Sequence, residues 1–69
     1  MATRLRLTFS ECEHQGDLDN YSGDIKKCGG TIVQSHVDTE NEEGTVDILV
    51  ENKDAFLSEF KKTESYNYL

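Results

Sequence analysis

What most constrains this chain is the order in which its hydrophobic period changes. Leu5, Leu7 and Phe9 alternate with Arg4, Arg6, Thr8 and Ser10. A period of two with one apolar face specifies a half-buried strand. The polar residues and glycine of 11–16 end it. Leu18, Tyr21, Ile25 and Cys28 then recur at steps of three and four, which lays one stripe along a helix over 17–28. Asp17 and Asp19 suit the positive start of that helix, Lys26 and Lys27 its negative end. Gly29-Gly30 can supply the left-handed residue that stops it. Gly23 inside the stripe costs up to about 1 kcal/mol relative to alanine.

The period then returns to two. A second strand is predicted over 31–37, with Val33, Ser35 and Val37 on one face and Ile32, Gln34 and His36 on the other. Residues 38–44 are polar and end in glycine, as a hairpin connection should. A third strand over 45–51 turns Val46, Ile48 and Val50 inward and leaves Leu49 beside Asp47 and Glu51. Asn52 is a good N-cap for a second helix with Asp54 in its first turn, a buried side of Ala55, Phe56 and Phe60, Leu57 at the margin, and Lys61 and Lys62 at its end. Ser65, Tyr66, Asn67, Tyr68 and Leu69 alternate again and suit a short fourth strand.

This order, β-α-β-β-α-β, has a preferred solution. Two β-α-β units that each cross over right-handed interleave into a four-stranded antiparallel sheet with both helices on one face. The expected fold class is therefore α+β, a ferredoxin-like two-layer sandwich with its last strand short or absent, formed by residues 1–69 as a single compact domain. Its first and third strands would be central. One core would unite Leu5, Leu7, Phe9, Val46, Ile48 and Val50 with Leu18, Tyr21, Ile25, Phe56 and Phe60. A fold this common does not define an activity.

Size and cysteine count narrow the class. A domain of about 60 residues buries only about 60% of its unfolded surface. Two cysteines, Cys12 and Cys28, are too few for a disulfide framework. The predicted helix between them spans about 17 Å at about 1.5 Å per residue, whereas a disulfide needs Cα atoms within about 7 Å. Both are expected to be reduced, with Cys28 a small buried hydrophobe. No apolar leader follows Met1 and no segment approaches a membrane span. A cytoplasmic location is expected.

No residue set nominates a catalyst. Cys12 and His14 stand two apart, so on an extended chain they point to opposite faces, and nothing supplies an orienting group or an oxyanion site. Cys12, Glu13 and His14, with Glu11 and Asp17 near, hold some metal-ligand character. They lack the C-x-x-C pair of metal carriers with this fold, and His36 is on another strand. The expectation is no enzyme, no metal site and no cofactor. The open sheet face lacks the aromatic platform that single-stranded RNA needs. Cross-strand pairing of Arg4 and Arg6 with Asp47 and Glu51 explains its charges.

Charge is the remaining signal. The chain has 14 acidic residues against 7 Lys and Arg, a net charge of −7. This disfavours nucleic acid and anionic membrane as direct partners and favours a protein with a basic surface. Asp38, Glu40, Glu42, Glu43, Asp47 and Glu51 follow one another without an intervening base. On an extended chain Asp38, Glu40 and Glu42 would stand about 6.8 Å apart on one edge, comparable to the spacing of phosphates along one strand. These six residues are the expected partner-binding set. The expected function is that of a small acidic non-enzymatic interaction module for a basic, nucleic-acid-handling protein. Inhibitors that mimic DNA, anti-CRISPR proteins of phage among them, share this composition. Two alternatives belong to other classes: a small-ligand or metal-binding regulatory domain using loop 11–16, and a structural homodimer or larger homo-oligomer.

Overall fold

The computed structural model describes residues 2–69. Three strands and two helices account for most of them: β1 Thr3–Phe9, α1 Gln15–Lys27, β2 Thr31–Asp38, β3 Glu43–Val50 and α2 Lys53–Phe60. The fold is α+β, with one antiparallel sheet in the order β1-β3-β2. Among the described residues no helix is long and apolar enough to cross a membrane.

The alternating strands fall where their period puts them. Every residue of β1 pairs with β3 without interruption, from Thr3 opposite Val50 to Phe9 opposite Gly44. That register brings Leu5, Leu7 and Phe9 onto the same face as Ile48 and Val46. The helices cover this face. Leu18, Tyr21 and Ile25 of α1 and Phe56 and Phe60 of α2 join Leu7, Phe9, Val46, Ile48 and Val50 in one buried cluster. Fully burying a side chain of this kind contributes about 1.5–3 kcal/mol.

The helix ends follow the expected chemistry. His14, the N-cap of α1, accepts the Asp17 amide on Nδ1 at 3.3 Å, while the Asp17 carboxylate reaches back to the Glu13 amide at 3.0 Å. At the other end Gly29 has φ +96°, and the Gly30 and Gly29 amides donate to the Ile25 and Lys26 carbonyls. This is a Schellman closure, and the left-handed position it requires explains the glycine. Asn52 caps α2 through a 3.0 Å bond from the Ala55 amide.

Three expectations are corrected. The phase of β2 reverses partway, because Val33 is a bulge residue between the pairs Ile32–Ile48 and Gln34–Asp47. An extra residue shifts every side chain after it to the other face. Ile32 and Val37 therefore both pack against the core, and Val33 is exposed. In α2, Ala55 is exposed and does not join the buried side, while Leu57 is half-buried at the margin as expected.

The third correction concerns the tail. Glu64–Tyr68 forms a 3-10 helix, so the sheet has three strands and β1 lies at its edge. The tail is held by its rings and its end. Tyr68 lies 5.5 Å from Tyr21 and Tyr66 lies 6.4 Å from Phe60, centroid to centroid, while Phe9 stacks on Tyr21 at 4.5 Å. The Ser10 amide donates to the Tyr68 carbonyl at 2.6 Å, and the buried Ser65 hydroxyl donates to Asp24. Helical pitch lets both tyrosines reach rings, whereas alternation would have turned Tyr66 and Tyr68 to one face of a strand.

Candidate functional site

The acidic hairpin between β2 and β3 is fixed, not loose. Asp38 is half-buried and folds its carboxylate over the turn, accepting from the Glu40 and Asn41 amides at 3.1 and 3.3 Å and from Asn41 Nδ2 at 2.8 Å. This is an Asx turn. The bonds to Asn41 hold the Asp38 carboxyl below the ordinary carboxylate range. Glu42 sits at φ 54°, a left-handed conformation that a non-glycine residue adopts at a cost. Its carbonyl accepts the Cys12 amide at 2.8 Å, joining the tip to loop 11–16. Glu40, Glu42 and Glu43 are exposed.

The expected six-carboxylate row is thus divided. Residues 39–42 form a turn, so the extended spacing from Asp38 to Glu42 does not occur. Glu51 is exposed at the opposite end of β3, about 25 Å along the strand from Glu43. Asp47 departs furthest from its expected role. It lies at the middle of the open sheet face, yet is only 2% exposed.

Four side-chain contacts enclose Asp47. Arg6 grips it side-on, Nε to Oδ1 at 2.7 Å and NH2 to Oδ2 at 3.2 Å. Arg4 NH2 reaches Oδ2 at 3.2 Å, and Gln34 Nε2 reaches the same oxygen at 2.6 Å. The register explains the convergence, since Arg6 and Gln34 are the direct cross-strand partners of Asp47 on its two sides. These donors, Arg6 foremost, push the Asp47 carboxyl far below the carboxylate range, and Asp47 in turn raises Arg6. A carboxylate so occupied is part of the scaffold and is not offered to a partner. A cleft of about 340 Å³ lies over this face, lined by Arg6, Gln34, Ser35, His36, Thr45 and Asp47.

Cys12 and His14 are not brought together as a reacting pair. Cys12 is fully buried, with its sulfur donating weakly to the His14 carbonyl at 3.9 Å, while His14 is exposed at its helix cap. Burial, reinforced by Asp17, pushes the Cys12 thiol up, away from the thiolate that a nucleophile or ligand requires. Cys28 is half-buried and likewise raised by burial. Both cysteines are free. Among the described residues no three His, Cys, Asp or Glu side chains are grouped as metal ligands.

The pairing of Arg4 and Arg6 with Asp47 follows the cross-strand expectation. What escaped the sequence reading was the Gln34 contact that completes its enclosure, the burial of Cys12 and the turn held by Asp38. Only the last had a local signal, the Asp–x–x–Asn spacing of Asp38 and Asn41. Comparison of the chain with family models, curated proteins and solved structures finds no match.

Proposed function

We propose that this chain is a non-enzymatic interaction module that presents Glu40, Glu42 and Glu43 to a basic groove on a nucleic-acid-handling protein. The observation that carries this reading is the combination of three exposed carboxylates with a backbone held by the Asp38 turn and the Cys12–Glu42 bond. A pre-organised anionic tip loses little conformational freedom on docking, and its field steers a cationic partner towards it. The net charge of −7 extends that steering beyond the tip. Inhibition by occupying a phosphate-binding groove, as DNA mimics and anti-CRISPR proteins of phage do, is the mode that fits this chemistry, in the cytoplasm where such targets work. We read the β-α-β-β-α order as ferredoxin-like with the last strand absent.

The test is a capture experiment from lysate at low and high salt, with duplex DNA as competitor. The expected partner is released by salt and by DNA, and is not retained by the variant carrying Glu40→Gln, Glu42→Gln and Glu43→Gln. Equal retention by the folded triple variant at low salt would overturn the reading.

A further inference from the structure

The two edges of this sheet are built differently. The β2 edge carries the Val33 bulge, which breaks the ladder and defends an edge against further pairing. The β1 edge carries no such break. Seven residues, Thr3–Phe9, run in uninterrupted register with β3, their one strand partner among the described residues. In an antiparallel edge strand alternate residues point their N–H and C=O groups away from the sheet. The hydrogen bonds between the C-terminal segment and this end of the chain fall past the strand, where Ser10 bonds Tyr68.

The side chains over this edge are basic. Ala2 to Ser10 holds Arg4 and Arg6 and no acid, in a chain with net charge −7. Both arginines stand on the open face with side chains 58% and 67% exposed. Asp47 engages NH2 of Arg4, and Nε and NH2 of Arg6. A guanidinium has five N–H donors in a planar fork. Among the described residues no hydrogen bond engages Nη1 of either arginine, on a group already oriented by a buried carboxylate. Two exposed guanidinium groups share one buried carboxylate here, while Glu51 lies past the end of β3.

We propose that the outer edge of β1 takes an extended acidic peptide segment of a partner protein as an added fourth strand. Main-chain bonds to β1 supply affinity, and side chains at alternate positions supply selectivity. Residues i and i+2 of the incoming strand stand about 6.8 Å apart on one face. Glutamate or aspartate at those positions meets Arg4 and Arg6, and the residue between faces the half-buried Leu5 on the core side. The proposal is independent of the acidic hairpin and survives if that reading fails.

The experiment follows amide exchange in the intact chain with a synthetic peptide of alternating threonine and glutamate as probe. With free peptide at about ten times its Kd, exchange at alternate amides of β1 slows about tenfold, while β2 is unchanged. A threonine–lysine peptide gives no protection. Thr8→Glu places an acid on the same face beside Arg6 without removing any donor to Asp47, so it weakens the glutamate peptide and admits the lysine one. Absence of protection, equal protection by both peptides, or indifference to Thr8→Glu would overturn the proposal. So would protection of β1 that grows with protein concentration alone, which would assign this edge to a second copy of the chain.

Discussion

Cys12 and Gly44 touch closely enough that each determines what the other can be. A Cβ built on Gly44 would lie 2.7 Å from the Cys12 sulfur and 2.8 Å from Leu18 Cδ1. Gly44 is the partner of Phe9 in the sheet, so its bare backbone forms the floor on which loop 11–16 folds inward.

Gly44→Ala is accordingly expected to destabilise by about 1–3 kcal/mol, as overpacking does. Cys12→Ala removes the sulfur but leaves Leu18 in place. Combining the two substitutions should cost less than the sum of each alone, and a urea denaturation cycle measures the difference.

Asp47 makes stability fall in acid. Its folded carboxyl titrates well below its unfolded value, so the stabilisation is complete above about pH 4 and is lost as pH drops towards the folded value. Asp38 is shifted the same way and contributes to the same window. Asp47→Asn should flatten the decline of melting temperature below about pH 4 more than Asp38→Asn does, as thermal melts across pH 2–7 would record.

The thiols should separate by rate. Cys28 is half-buried and Cys12 fully buried. Alkylation of the native chain is expected to modify Cys28 first, with Cys12 reacting only as the chain opens. Mass analysis should show one modified site early and two after denaturation.

The C-terminal rings should matter to stability as well. Tyr68→Ala removes the contact to Tyr21, and an aromatic pair contributes about 0.5–1.5 kcal/mol beyond its buried area. The variant is expected to lose about 1–2 kcal/mol in urea and to keep its strand content by circular dichroism.

Much of the fold was legible where one physical rule acts alone. Leu5, Leu7 and Phe9, like Val46, Ile48 and Val50, announce their face by strict alternation. Asn52 and Gly29 announce helix ends because few residues do those tasks well. Legibility stopped where rules compete. Val33 and Ile32 are equally apolar, and only pairing with β3 decides which becomes the bulge. Tyr66 and Tyr68 favour a strand locally, but ring contacts to Phe60 and Tyr21 draw them into a 3-10 turn. Of the six carboxylates read as one row, Asp47 was legible as a cross-strand partner of Arg4 and Arg6, and only its register with Gln34 across the bulged strand was not. The exposed Glu40, Glu42 and Glu43 were readable because a turn tip seldom buries charge.

The bulge at Val33 also bears on how this chain can change over generations. Ile32 and Val37 both reach the core only because one surplus residue lies between them. A point substitution at 33 alters one exposed side chain. Losing or gaining a codon there would instead reverse one half of β2 against the other, pulling Val37 from the core or Gln34 from Asp47. Drift in this strand is therefore free in letter and constrained in length, so insertions and deletions should accumulate in the surface turns and spare 31–38.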